Sequence, residues 1–265
     1  MRIAKHYPST EIELDHSPAT PEPSVLARFL PNAITASALC AGLISVRFSI
    51  DGKFDAALAA IVAAAILDGL DGRIARKLHS TSRFGAEFDS LADFLSFGIA
   101  PILLLYFWSG EHMNTAASLC LMVFALASAL RLARFNSMLE EKAPWQRAYF
   151  TGMPTPSAAL AVLLPLSLTE PDPISVKAIG PYAIFIAFLM ISTIPTFSGK
   201  TLKAYRNSSK ICIEAAVIVS LITFVVYPRE ILALATAAYL ASIPLSWWQY
   251  RIKFRNDDQL TCGRE

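Results

Sequence analysis

Long apolar runs separated by short polar segments make up most of the chain after residue 29. A helix needs about 20 mainly apolar residues to cross a bilayer, with shorter runs at the lower limit. The runs cover residues 30–50, 54–70, 86–108, 115–130, 154–168, 179–195, 211–227 and 231–248. This pattern predicts an all-α integral membrane protein, a polytopic bundle of about eight transmembrane helices.

The composition supports a membrane protein. Hydrophobic residues make up 54% of the chain and charged residues only 17%, whereas soluble domains carry about 25% charged residues. We therefore expect the lipid bilayer as a partner and no nucleic acid. The polar, proline-containing segment 1–27 is expected to be a disordered tail, followed by a membrane domain over 28–250 and a second tail over 251–265.

The basic residues alternate with the predicted spans. Of the 23 Lys and Arg residues, 19 fall in segments on the same side as the N-terminus. The opposite side holds only Arg47, Lys53, Lys177 and Arg229. Because basic loops stay in the cytoplasm, we expect both termini on the cytoplasmic side of a bacterial inner membrane, and an even number of spans.

Four aspartates mark the most informative stretch, at the cytoplasmic end of the second and third runs. Asp68 and Asp71 are three residues apart and share one helix face. Asp89 and Asp93 are four apart and share a face of the next helix. Residues 77–84 are long enough for a turn, so two antiparallel helices would bring both pairs together.

Four like charges in one pocket repel strongly at low dielectric. Bound divalent cations would relieve this repulsion, and ligands that are all oxygen favour Mg²⁺ or Mn²⁺. Intramembrane carboxylates are costly and usually functional. The residues alone leave open an enzyme, a divalent-cation transporter lined by the same aspartates, and a structural membrane protein.

The spacing of this stretch resembles the signature of the CDP-alcohol phosphatidyltransferase family, D-x2-D-G-x2-A-R-x8-G-x3-D-x3-D. The matching positions are Asp68, Asp71, Gly72, Ala75, Arg76, Gly85, Asp89 and Asp93. The resemblance implies an enzyme that transfers a phosphatidyl group from a CDP-linked lipid to an alcohol and releases CMP. It implies that Asp68, Asp71 and Asp89 bind Mg²⁺ or Mn²⁺, that two ions are present, and that Asp93 is the general base and helps to hold a second ion.

The resemblance also implies a binding site for the CDP group. Gly72, Ala75 and Gly85 would let cytidine and diphosphate approach the backbone, and Arg76 would contact phosphate. Asn32 and Thr35, near the start of the first span, resemble family residues that line the nucleotide pocket. For Asn32, the residues alone leave helix capping as an equal alternative.

Two later segments indicate the acceptor alcohol. Residues 131–136 and 150–159 resemble the phosphatidylserine synthase branch of the family, which implies transfer from CDP-diacylglycerol to L-serine, giving phosphatidylserine and CMP. Glycerol phosphate, inositol phosphate and choline are the alternative acceptors. Candidate acceptor-binding residues are Arg131, Arg134, Asn136 and Thr151. For the two arginines, positive-inside anchoring is the alternative. By analogy with the family, we also expect a homodimer.

Overall fold

The structure is a computed structural model. It describes residues 25–78, 80, 82–137, 150–192, 195–196 and 227–242. The predicted tails over 1–27 and 251–265 therefore lie almost or wholly outside the described residues. The same holds for nearly all of the seventh predicted span, 211–227, and for the end of the eighth.

The described chain is almost entirely helical, which confirms the predicted fold class. Its α-helices are α1 Val25–Ile50, α2 Phe54–Lys77, α3 Arg83–Asp93, α4 Ala100–Ser109, α5 Thr115–Ser137, α6 Thr155–Val162, α7 Leu164–Leu168, α8 Pro173–Ile191 and α9, residues 228–242. A π-helix, Phe94–Ile99, joins α3 to α4, and a 3₁₀ turn, Gly110–His112, follows α4. Two strands of two residues each, β1 Phe150–Thr151 and β2 Pro195–Thr196, pair antiparallel.

Four of the described helical segments are long and apolar enough to cross a membrane. They are Phe29–Ile50, Arg83–His112, Thr115–Ser137 and Pro173–Ile191. The second predicted span forms helix α2, but this helix also carries Asp55, Asp68 and Asp71 and is not among the four. The count of eight spans stays a prediction, because part of the chain that it concerns is not described.

Several predicted spans differ in extent from the observed helices; the sixth, 179–195, corresponds to α8 Pro173–Ile191. The first helix begins at Val25, five residues before the predicted span. The fifth predicted span, 154–168, is not one helix but two short ones, α6 and α7. Pro165 causes the break: it lacks the N–H group that would bond to the Ala161 carbonyl. Tyr182 of α8 supplies the missing donor, its hydroxyl donating to that carbonyl at 2.8 Å.

Close helix packing brings the predicted cytoplasmic ends of these helices together. Helix α1 packs along α2, and α5 packs along α8. The π-helix lies between α1 and α5, where Phe97 is buried. A Cβ on Gly42 of α1 would lie only 2.9 Å from Cα of Ser96 in the π-helix. Small residues thus allow the close approach on which helix association in a bilayer depends.

At the opposite end of the bundle, an ion-pair cluster links α9 to α2 and to the turn before α8. Arg229, near the start of α9, donates from Nε to Asp55 of α2 at 2.7 Å. Its Nη1 atom lies 3.5 Å from Glu170, in the turn before α8. Leu232 and Thr236, one and two turns further along α9, are buried. This helix therefore packs against the bundle through a single face.

Candidate active site

The acidic residues lie in the last part of α2 and in the second half of α3, which ends at Asp93. Helix α2 continues through Asp68 and Asp71 to Lys77, and α3 starts at Arg83 after a short connection. Ser82 caps α3, its hydroxyl accepting from the Gly85 backbone N–H at 3.0 Å, as is usual at helix N-termini. This capped turn reverses the chain and brings Asp89 and Asp93 back beside the end of α2.

Three of the four carboxylates converge on one small volume. One oxygen each of Asp68, Asp71 and Asp89 lies within 4.8 Å of the other two. The carboxyl group of Asp93 lies within hydrogen-bonding reach of Asp68. Asp71 is buried, at 4% exposed, and the other three are partly buried. The structure thus brings together all four acidic residues that the motif singled out.

The cluster brings four acidic side chains together, and Arg131 is the nearby cation among the described residues. Among the described residues, none of the four carboxylates forms a salt bridge with Lys or Arg. Partly buried carboxylates at this separation repel one another. The three converging oxygens could hold one divalent cation, and a donor set made only of carboxylate oxygen fits a hard ion such as Mg²⁺ or Mn²⁺.

Two residues of α1 contact this cluster or its turn. The Thr35 hydroxyl donates to Oδ2 of Asp71 at 2.7 Å, and both side chains are buried. Asn32 lies against Gly85, because a Cβ on this glycine would be 3.1 Å from Oδ1 of Asn32. The alternative that Asn32 caps α1 is wrong, since the helix begins seven residues earlier, at Val25.

The remaining residues predicted to bind the CDP group line the end of α2. The Arg76 guanidinium lies over Gly72, its nearest nitrogen 3.7 Å from the position of an added Cβ. Ala75 is partly buried, and the Arg76 side chain is exposed. Open space surrounds the Cβ position of Gly69, one turn before Gly72. This end of α2 therefore leaves its backbone accessible beside the carboxylates.

The predicted acceptor residues on α5 separate into different environments. Arg131 lies close enough to Asp93 to attract it electrostatically. Arg134 instead donates to the Ile191 carbonyl at the end of α8, at 3.4 Å. Asn136 donates from Nδ2 to the Ser90 hydroxyl, between Asp89 and Asp93, at 3.0 Å. Thr151 lies in β1, and its side chain is outside the described part of the structure.

Sequence reasoning missed two polar residues at the site. Thr155 accepts a hydrogen bond from Nη1 of Arg131 at 2.5 Å. Ser90 joins α3 to Asn136 at the end of α5. Thr155 lies within residues 150–159, the segment that resembles the synthase branch, so the sequence carried a weak indication that it belongs to the site. Ser90 occupies a variable position of the acidic motif, and nothing in the sequence distinguished it.

A π-helix starts immediately after Asp93 and covers Phe94–Ile99. Such wider turns are rare in proteins, and those that occur are often found at functional sites. The Ser96 hydroxyl donates to the Ala38 carbonyl of α1 at 3.4 Å, and Gly98 lies against Ser128 of α5. The segment that follows Asp93 is therefore fixed between α1 and α5.

Comparison with known proteins agrees with these observations. Residues 28–198, well over half of the chain, match the family model of CDP-alcohol phosphatidyltransferases. A CDP-diacylglycerol–serine O-phosphatidyltransferase of Helicobacter pylori (strain ATCC 700392 / 26695) is 34% identical over 229 residues, which cover 84% of this chain and 92% of the relative.

Two further relatives with the same name match shorter regions. The protein from Mycobacterium leprae is 42% identical over 149 residues, covering 55% of this chain and 49%, about half, of the relative. The protein from Bacillus subtilis is 33% identical over 166 residues, covering 63% of this chain and 88% of the relative. The region matched by the family model includes all but the first turn of α1, the whole of α2 to α8 and all four aspartates of the cluster. The chain belongs to the CDP-alcohol phosphatidyltransferase family.

Proposed function

We propose that this protein is a CDP-diacylglycerol–serine O-phosphatidyltransferase, which transfers the phosphatidyl group of CDP-diacylglycerol to L-serine. The observation that carries the proposal is the convergence of Asp68, Asp71 and Asp89 within 4.8 Å, with Asp93 beside them. Relatives covering 84% of the chain are serine O-phosphatidyltransferases by name. The carboxylates lie toward one end of the bundle, which suits a lipid donor and a water-soluble acceptor.

The three converging carboxylates would hold Mg²⁺ or Mn²⁺, and Asp93 would help to hold a second ion. A bound ion neutralises charge on the diphosphate and on the departing phosphate. Thr35 orients Asp71 through its hydroxyl, so α1 contributes to the shape of this site.

In the transfer step, the serine hydroxyl oxygen attacks the phosphorus of the phosphatidyl group. A new P–O bond forms as the bond from phosphorus to the CMP oxygen breaks, and CMP leaves. Asp93 accepts the hydroxyl proton as general base. Direct in-line transfer needs no covalent enzyme intermediate, and the motif contains no paired Ser-His or Cys-His nucleophile.

The donor would lie along the exposed backbone at the end of α2. Gly72, Ala75 and Gly85 would let cytidine and diphosphate approach the backbone, and Arg76 would contact phosphate. Asn32, which lies against Gly85, contributes an amide near the nucleotide.

The acceptor would lie on the α5 side of Asp93. Arg131 is close to Asp93, and a guanidinium matches the carboxylate of serine in shape and charge. Arg134, Asn136 and Thr151 belong to the surrounding acceptor region.

Both termini and the site would face the cytoplasm of a bacterial inner membrane. The distribution of basic residues between the predicted loops supports this orientation. The working unit would be a homodimer, by analogy with the family.

The decisive assay supplies purified protein with CDP-diacylglycerol and a panel of alcohols: L-serine, glycerol phosphate, inositol phosphate and choline. We expect CMP release and phosphatidylserine with serine alone, and none after chelation of divalent cations. A product with another alcohol and none with serine would refute the proposed acceptor. Metal uptake into vesicles without any nucleotide lipid, and no lipid product, would indicate a transporter.

The Asp93→Asn variant tests the general base in the same assay. General bases typically contribute about 10²- to 10⁴-fold, so we expect the turnover rate to fall at least about 100-fold. Asp51→Asn is the control, because Asp51 is exposed, pairs with Arg47 and lies at the opposite end of α1. Equal rates in the two variants would contradict the role of Asp93.

A further inference from the structure

Thr155 is the first residue of α6, and its side chain is fully buried, at 0% exposed. Its hydroxyl accepts a hydrogen bond from Nη1 of Arg131, which reaches it from α5, at 2.5 Å. The transfer step described above gives Thr155 no part. A fully buried hydroxyl bonded to a guanidinium beside the candidate base calls for an explanation.

The backbone before Thr155 is anchored firmly on α8. Gly152 has a φ of +78° and packs against the carbonyls of Met190 and Ser192, at the end of that helix. The Met153 N–H donates to the Leu189 carbonyl at 3.1 Å. The start of α6 thus has a fixed position, and Thr155 offers Arg131 a fixed acceptor.

The hydrogen bond to Thr155 leaves other donors of Arg131 available. A guanidinium is planar and carries five N–H donors in fixed directions, so tying one nitrogen restricts the orientation of the whole group. Nε of Arg131 is buried without a hydrogen-bond partner among the described residues. A buried donor is costly unless it is paired. An acceptor molecule beside Asp93 would provide the missing partner.

We propose that Thr155 is a positioning residue, which holds the Arg131 guanidinium so that its remaining donors face the carboxylate of an amino-acid acceptor. The inference rests on the proposed function and adds to it the part of the fold that makes the site selective for an α-amino acid. Tyr239 of α9 also lies near Arg131. Helices α5, α6 and α9 thus meet at this side chain.

The test is Thr155→Val, which keeps the shape of the side chain and removes the hydroxyl. Hydrogen bonds to charged groups are strong enough to change affinity about tenfold or more. We expect KM for L-serine to rise about tenfold, and KM for CDP-diacylglycerol to stay within about twofold of wild type. Thr155→Ser restores the hydroxyl and should return KM for serine towards the wild-type value.

The matched control is Ser128→Ala, on the same helix as Arg131. Ser128 is also fully buried, but its hydroxyl has no hydrogen-bond partner among the described residues, so we expect both KM values to stay unchanged. Thr155→Ala, assayed in parallel with melting curves, provides a second variant without the hydroxyl. Loss of folding in both the Val and Ala variants would indicate a purely structural role and overturn the inference.

The outcomes separate this inference from the proposed function. Wild-type protein that makes no phosphatidylserine would reject both. Active wild-type protein with an unchanged serine KM in Thr155→Val would reject the positioning role alone. Equal increases in the KM values for serine and for CDP-diacylglycerol would also reject it, since a general distortion of the site would explain them.

Discussion

Thr35 lies on α1, but its hydroxyl donates to Asp71 on α2 at 2.7 Å. The same hydroxyl lies 3.1 Å from the Pro31 carbonyl of its own helix. A hydroxyl has a single hydrogen to donate, and the charged, closer Asp71 oxygen is the stronger acceptor. Thr35 therefore fixes the orientation of a carboxylate that we place in the cation site.

Removal of this hydroxyl should weaken cation binding in the absence of any nucleotide. Partners that orient a metal ligand typically contribute 10- to 100-fold to metal affinity. For Thr35→Val we expect the Kd for Mn²⁺, measured by electron paramagnetic resonance, to rise about tenfold.

Ser37→Ala is the matched control for this measurement. Ser37 is exposed on the same helix and donates to the Ala33 carbonyl, so its removal should not change the affinity. An unchanged Kd in Thr35→Val would show that the hydroxyl does not orient a ligand of the ion.

At the residue scale, the sequence was enough to predict the acidic cluster but not the hydrogen bonds that its members form. The i,i+3 and i,i+4 spacing of the aspartates was enough to predict that each pair shares a helix face. The bond between Thr35 and Asp71 depends on the register of α1 against α2. The spacing of residues within one helix carries no information on that register. Thr35 could therefore be placed in the site, but its hydrogen bond to Asp71 could not be predicted.

Gly152, in the bend between β1 and α6, determines where α6 and its first residue Thr155 begin. Its φ of +78° lies in the left-handed region, and an added Cβ would be 2.5 Å from the Met190 carbonyl oxygen and 2.7 Å from that of Ser192. Both obstacles are backbone atoms, which cannot rotate away as a side chain can. The turn that leads to Thr155 therefore requires glycine.

Gly152→Ala should displace the start of α6 and lower both stability and activity. Strain of this kind costs about 1–3 kcal/mol, and the clash with α8 adds to it. We expect a lower melting temperature and at least about a tenfold loss of serine-dependent CMP release. Gly110→Ala is the control, since Gly110 also has a positive φ, +52°, but open space around it. Equal losses in the two variants would contradict a specific role for the clash.

At the element scale, apolar run length predicted most helices, but not their breaks. The apolar run over 154–168 predicted a single span, but Pro165 divides it into α6 and α7. Tyr182, from a distant part of the sequence, donates to the Ala161 carbonyl at this break and so stabilises the division. The π-helix after Asp93 was also unpredictable, because it depends on contacts of Ser96 and Gly98 with two other helices.

At the scale of the whole molecule, the described polar site lies at one end of the bundle. The last part of α2, the second half of α3 and the end of α5 supply the aspartates and Arg131. The opposite end carries the Arg229 cluster with Asp55 and Glu170, where α9 contacts α2 and the turn before α8. The alternation of basic loops predicts that the end with the aspartates faces the cytoplasm, and this stays a prediction. It could not predict that α9, beyond the region matched by the family model, approaches Arg131.

Crystals grown with Mn²⁺ would test most directly whether acidic side chains of two neighbouring helices hold a common cation. We predict an anomalous-scattering peak about 2.1 Å from one oxygen each of Asp68, Asp71 and Asp89, and its loss in Asp89→Asn. A map with no peak among these carboxylates at saturating Mn²⁺, or a peak that persists unchanged in Asp89→Asn, would contradict this account.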